Sequence, residues 1–296
     1  MFQKLHPAVQ FTYFVVVIGL GMFVRNPLIQ AELLLLSLVA EQAVNSHAAG
    51  DSSSGKRKKT TTKNLHYLGF LFAIILLSVL INMLTYHDGI RVLFYINENP
   101  ITVEAGIYGM TVGLMIATTL SWFRVYQKVL TQDKFLYLFG RISPAFAMTI
   151  SMVFRYIPLL QRRMEEINRA DRAMGAYRDD LPLMKKMKVK TREFSVLISW
   201  SLEQSIETSQ AMEARGYGAK NRSSYHRFLF YRRDGMMLTG LLILAVTAAA
   251  CLVFGFGKTY FYPEFAFASS GAKLIFLAST MLLLGGLPVL LKERGL

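Results

Sequence analysis

The sequence predicts an all-α polytopic membrane protein of about six transmembrane helices, with two long cytoplasmic amphipathic helices. Three observations predict it. Of 296 residues, 53% are hydrophobic and 18% charged, whereas soluble domains carry about 25% charged residues. The apolar surplus is gathered into runs near the roughly 20 residues that cross a hydrocarbon core. The charge is also uneven: residues 155–234 hold 17 of the 33 Lys and Arg, and residues 56–63 hold five more. Basic segments between spans mark the cytoplasmic side more simply than they mark nucleic acid, and no nucleic-acid partner is expected. A single cysteine, Cys251, lies inside an apolar run and cannot close a bridge within the chain.

The first run, 8–24, ends at Arg25-Asn26-Pro27, where proline permits a turn into a second span over 28–44. Glu32 and Glu41 interrupt that span, and each should face protein or the interface rather than lipid. Residues 45–64 show no apolar periodicity and are expected to form a solvated loop. Its basic tract could hold anionic lipid headgroups, at about 1 kcal/mol per basic side chain. Residues 65–86 form the clearest span, and the loop 87–104, with three acids against Arg91, is expected outside. The span 105–122 returns; its Gly106, Gly109 and Gly113 leave room for a neighbouring helix. Residues 135–154 are apolar but hold Arg141 and Pro144, and are read as a kinked or interfacial segment. Two more spans follow at 236–254 and 272–291.

Six crossings with both termini cytoplasmic put Lys4, the 56–63 cluster, Arg124, residues 155–233, Lys292 and Arg294 on one side. The predicted organisation is an N-terminal transmembrane part (1–154), a cytoplasmic region (155–235) and a C-terminal hairpin (236–296), in the plasma membrane and without a cleavable signal peptide.

Within 155–233 two helices can be read. Pro158 suits a helix start, and beyond it Leu160, Met164, Ile167, Ala170, Met174 and Tyr177 recur at steps of three and four. Asp179-Asp180-Leu181-Pro182 stops the first helix. The second is expected from about Glu193, with Phe194, Leu197, Ile198, Leu202, Ile206, Ser209 and Met212 on one side. The two ends are alike: Ala170-Asp171-Arg172-Ala173-Met174-Gly175 and Ala211-Met212-Glu213-Ala214-Arg215-Gly216. Glycine just past a helix is a routine cap, and a basic residue in the last turn suits the helix dipole, so spacing alone leaves a structural reading open.

Taken with His6-Pro7, Asn26-Pro27, the glycine-bearing span after Glu104, Arg155-Tyr156-Ile157-Pro158-Leu159-Leu160 and the tail through Tyr217-Gly218, these ends carry a resemblance. The chain resembles the transmembrane T component of energy-coupling factor transporters. The resemblance implies two cytoplasmic coupling helices, each docking an Ala-Arg-Gly signature on one of two ABC-type ATPase subunits. It further implies a substrate-binding membrane S component as partner, lipid around the spans, and ATP with Mg bound only by the ATPases. The second signature is intact at Ala214, Arg215 and Gly216. In the first, Ala173 and Gly175 match, Met174 stands where the family has arginine, and Arg172 or Arg178 would have to take over. Leu160, Met164, Ile167, Ile198, Leu202 and Ile206 would cross one another or grip the S component. The expected function is energy coupling in a vitamin or metal-ion importer, without catalysis by this chain.

The other function class is a membrane-embedded enzyme acting on lipid-linked or diphosphate substrates. Its supporting motifs are thin. Gly257-Lys258-Thr259 ends like a phosphate-binding loop, but Leu252 occupies the place of the first glycine. Asp179-Asp180 is followed by no further acid, and the five histidines form no close-spaced ligand pair, so no catalytic or metal residue is expected. A passive channel would need polar residues along several spans, which are sparse apart from Glu32.

Overall fold

The computed structural model describes residues 5–49, 56–86, 89–96, 99–140, 143–177, 182–217, 230–261, 266–267 and 271–293. The helices are α1 (Pro7–Phe23), α2 (Pro27–Ala49), α3 (Lys56–Thr85), α4 (Val103–Val129), α5 (Gln132–Gly140), α6 (Pro144–Ala173), α7 (Leu183–Ala214), α8 (Arg232–Val253) and α9 (Gly271–Glu293). Two small antiparallel ribbons accompany them, β1 (Val92–Ile96) with β2 (Asn99–Thr102) and β3 (Thr259–Tyr260) with β4 (Ala266–Phe267). The protein is thus a helical membrane protein, as predicted. Parts of α2, α3, α4 and α8 are long and apolar enough to cross a membrane, and the other two expected spans are the shorter apolar helices at Pro7–Phe23 and Gly271–Leu287. The ribbons occupy segments expected only as loops. Val92-Leu93-Phe94-Tyr95-Ile96 is rich in the branched and aromatic residues that favour a pleated surface, a signal masked by its apolar neighbours.

The chain divides into two compact units, residues 1–135 with 228–296, and residues 136–227. In the first unit, α1 starts on His6, whose Nδ1 accepts from the Ala8 N–H, with Pro7 in the first turn. Asn26 and Pro27 start α2 in the same way, the Asn26 side chain accepting from the Leu28 N–H. Gln30 then donates to the carbonyls of Gly21 and Val24, both at 2.7 Å, and locks the hairpin. Tyr13, Phe14 and Trp122 pack edge-to-face at the centre of the core, where Val17, Ala40, Leu241 and Leu284 are also buried.

Helix α4 packs on α1, α2 and α3, while α3 leaves Phe70, Phe72, Leu76 and Leu80 exposed, as a lipid-facing helix must. The α3–α4 approach is close because Gly109 and Gly113 carry no Cβ. One built at Gly109 would meet the Val79 backbone at 2.8 Å, and one at Gly113 the Ile75 backbone at 2.9 Å. Gly106 faces only the flexible Met83 side chain. Ser78 donates to the Gly109 carbonyl at 2.9 Å across this seam. Gly109→Leu should therefore force α3 off α4 at a cost of about 1–3 kcal/mol or more. Gly106→Ala should be tolerated; thermal melting of the two detergent-solubilised variants distinguishes them.

Lys134, on α5 just past α4, is buried and donates to Gln10 at 2.9 Å and to the Val129 carbonyl at 3.1 Å. Burial pulls its ammonium below the ordinary lysine range. The unfolded chain then binds more protons here as pH nears the lysine range, so stability at this position rises with pH there.

Four expectations about the helices need correction. Residues 45–64 are not a continuous loop, because helical backbone runs to Ala49 and resumes at Lys56. Missing apolar periodicity does not by itself break a helix, and Lys and Arg extend one nucleated by the adjoining span. The segment 135–154 is divided rather than kinked: α5 ends at Gly140, and α6 starts on Ser143, whose side chain accepts from the Phe146 N–H, with Pro144 in the first turn. Pro158 lies inside α6 instead of starting a helix, since Ser143 and Pro144 already supply that start. Finally, α7 begins ten residues before Glu193, at Leu183 beyond Pro182, because its run of Lys and Met is itself a good helix former.

Candidate functional site

The second unit is built mainly from α6 and α7, with the end of α5 before them. Tyr156 meets Thr208 at 2.6 Å, the Arg163 guanidinium lies 5.3 Å from the Trp200 ring centroid, and Arg192 reaches Asp171 at 3.4 Å. As the α6 partner advances along the chain its α7 partner retreats, so the helices run antiparallel. Their C-terminal ends therefore lie at opposite ends of the pair, roughly 35–40 Å apart at 1.5 Å of rise per residue.

Each end closes with the same backbone pattern. On α6, Ala176 N–H donates to the Asp171 carbonyl and Gly175 N–H to that of Arg172. On α7, Tyr217 N–H donates to Met212 and Gly216 N–H to Glu213. Gly175 (φ +71°) and Gly216 (φ +75°) take the left-handed conformation this closure needs. Met174 and Arg215 are thus equivalent C-cap residues, each after an alanine and before that glycine. Helix α8 also ends this way, on Gly255 at φ +79°, so the closure alone marks no site. What sets the α7 end apart is Arg215, an exposed guanidinium that makes no ion pair among the described residues.

The α6 end is different chemically. Met174 is 67% exposed and apolar. Ala173 and Arg172 are exposed beside it, Arg172 donating to Asn168 and lying 5.2 Å from the Tyr177 ring. Arg178 lies outside the described residues, as does Asp179-Asp180. Two further cations come from α7: Arg192 on the buried Asp171, and Lys190, which is 2.8 Å from Glu193 and 4.9 Å from the Tyr177 ring. Sequence reasoning misses both, because no linear motif joins residues some 20 positions apart that only an antiparallel pairing brings together.

The apolar positions separate. Leu160, Met164 and Ile167 are partly buried on α6. On α7 the face toward α6 carries Leu197 together with the fully buried Glu193, whereas Phe194, Ile198, Leu202 and Ile206 stand 44–62% exposed. Spacing at three and four gathers both sets into one broad stripe and does not tell which edge of it turns inward. Among the described residues no group of three His, Cys, Asp or Glu comes together. Gly257-Lys258-Thr259 follows a helix and enters β3, the reverse of the strand-to-helix order of a phosphate-binding loop.

No family model matches the chain. Curated relatives do match it, several of them named energy-coupling factor transporter transmembrane protein EcfT. The one from Acidaminococcus fermentans is 29% identical over 187 residues, 60% of this chain and 68% of the relative. The one from Bacillus selenitireducens is 24% identical over 268 residues, 84% of this chain and 91% of the relative. With the one from Lacticaseibacillus paracasei the match is 30% over 99 residues, spanning 33% of this chain and 38% of the relative. The resemblance therefore holds across most of the chain, which is a membrane protein similar to the transmembrane proteins of energy-coupling factor transporters.

Proposed function

We propose that this relative of the energy-coupling factor transmembrane proteins is the scaffold and energy-coupling subunit of an ATP-driven importer of a vitamin or metal ion. It sits in the plasma membrane with both termini cytoplasmic. Two ABC-type ATPase subunits dock on the α6 and α7 ends, a substrate-capturing membrane subunit lies on the apolar face of the pair, and ATP and Mg are held by the ATPases.

One observation carries this reading: two identically closed helix ends at opposite ends of an antiparallel pair, one of them presenting an exposed arginine. Such a pair suits a task with no chemistry of its own. Two ATPases closing on each other displace two points, and stiff rods convert that displacement into movement of whatever rests on them. A guanidinium on a cap can make a bidentate bond to a carboxylate or to carbonyls in an ATPase groove, and the adjacent glycine lets the partner backbone come near. The exposed row Phe194, Ile198, Leu202 and Ile206 is too apolar to face water for long, which supports its being covered by another membrane subunit.

The test is photo-cross-linking of the assembled transporter through a thiol-attached photoreactive group at Tyr217→Cys and, separately, Met174→Cys; the native Cys251 is buried and stays silent. Each position should capture an ATPase subunit, and Leu202→Cys, on the exposed apolar row of α7, should capture the substrate subunit instead. Capture of no ATPase from either end would end the proposal. The α6 end makes a further expectation. Restoring the family residue with Met174→Arg adds a charge-assisted bond of about 1.5–3 kcal/mol. ATPase retention through that end should rise by at least tenfold in dilution-dissociation measurements.

A further inference from the structure

We propose that the seam between α1 and α8 holds an anionic phospholipid, its acyl chain in an apolar groove and its phosphate among Arg25, Lys258 and Lys273. The groove is a cavity of about 620 Å³ walled by Leu20, Phe23, Ala249, Leu252 and Phe256, with Arg25 and Lys258 lining its end. It continues along the same two helices into a second cavity of about 360 Å³ reaching Val15, Gly19 and Val246, with Leu20, Phe23 and Ala249 common to both. Gly19 keeps this part open, since nothing lies within 4 Å of where its Cβ would be. Phe23 and Val253, at the last turns of the two helices, are 76% and 81% exposed, so the groove opens sideways toward lipid.

The charge at its end is one-sided. Lys273, from the start of α9, lies 5.5 Å from the ring of Phe256, which lines the cavity. Arg25, Lys258 and Lys273 take part in none of the ion pairs among the described residues. They also stand at the opposite ends of the spans from the 56–63 cluster, Arg124 and Lys128. Three such cations there run against the usual distribution, in which basic residues gather on the cytoplasmic side. A free anion would need only the cations. An open apolar trench leading from them along α1 and α8 fits a ligand that is charged at one end and aliphatic below, since basic side chains beside a membrane attract anionic headgroups. Lys258 folds back over Gly255 at the end of α8, where a cation also suits the helix dipole.

The experiment is native mass spectrometry of the full chain after reconstitution in phosphatidylcholine with one part in ten phosphatidylglycerol, followed by detergent extraction. One phosphatidylglycerol per chain should persist, in preference to phosphatidylcholine. Arg25→Gln/Lys258→Gln/Lys273→Gln should weaken that retention about a hundredfold, at roughly fivefold per basic side chain. Gly19→Leu, whose Cβ enters open space and whose side chain extends into the groove, should lower retention with the cations intact. Equal retention of both lipids, retention unmoved by Gly19→Leu, or displacement by inorganic phosphate alone would each overturn the proposal. So would a triple variant that melts lower in lipid-free detergent yet keeps its lipid, the signature of dipole compensation alone.

Discussion

Arg215→Ala is expected to strip the α7-end ATPase from the purified complex while leaving the fold of the chain intact. The side chain is exposed and makes no ion pair among the described residues, and the helix end is closed by backbone bonds from Gly216 and Tyr217 that alanine does not disturb. The loss therefore falls on docking. Truncating one partner of a desolvated charge pair costs about 2–5 kcal/mol, or roughly 30- to 5,000-fold in affinity. Arg215→Lys keeps the charge but not the planar fork and should fall between the two. Gly216→Ala acts differently: at φ +75° a Cβ costs about 1–2 kcal/mol, and it should fray the cap and reduce docking with Arg215 still present. Affinity purification of the detergent-solubilised complex, quantifying ATPase per chain, reads all three. Full retention by Arg215→Ala, together with undiminished ATP-driven uptake, would remove the α7 end from the mechanism. The same substitution in the α6 equivalent, Met174→Ala, should do much less, because no charge is lost there.

The difference between the two ends also shows what a sequence can and cannot carry. The spans are legible because a bilayer demands long uninterrupted apolar runs, and the close α3–α4 approach is legible because Gly109 and Gly113 recur on one face. The two closed ends are legible as rhyming local motifs, since a Schellman closure needs only a few consecutive residues. The pairing of Arg192 with Asp171 is not, nor is the burial of Glu193 against α6. Both depend on the register of two helices, which local spacing does not fix. The start of α7 escapes for a related reason. Lys185-Lys186-Met187-Lys188 has no inward face to show a period, yet propensity alone is enough to extend the helix. The groove between α1 and α8 is invisible because its walls read, residue by residue, as two ordinary spans.

Glu41→Leu is expected to be the most destabilising single substitution in the first unit. Glu41 is 3% exposed, and one of its oxygens accepts from Lys128 Nζ at 2.6 Å and lies 3.0 Å from Arg124 Nε as an ion pair. Lys128 also donates to Asn45 at 2.9 Å, and the Arg124 guanidinium lies 3.9 Å from the Tyr67 ring centroid. One carboxylate thus ties α2 to α4, and through Arg124 to α3. Removing it leaves two neighbouring cations of α4, Arg124 and Lys128, turned toward α2 without their carboxylate. Breaking a buried pair in this way costs about 3–5 kcal/mol, a large part of a total near 5–15 kcal/mol. The melting temperature in detergent should fall on the order of 10 °C. Glu41→Gln keeps a carbonyl oxygen in place and should lose less. The triple variant Glu41→Leu/Arg124→Leu/Lys128→Leu orphans no charge and should recover most of the loss, since well-packed apolar groups often replace buried ion clusters without penalty. Because the Glu41 carboxylate is buried while Arg124 and Lys128 are only a quarter to a third exposed, the Glu41→Leu drop should depend only weakly on salt between about 0.1 M and about 0.5 M. A small, salt-dependent drop, or a triple variant no more stable than Glu41→Leu, would mean that packing rather than charge holds α2 against α4.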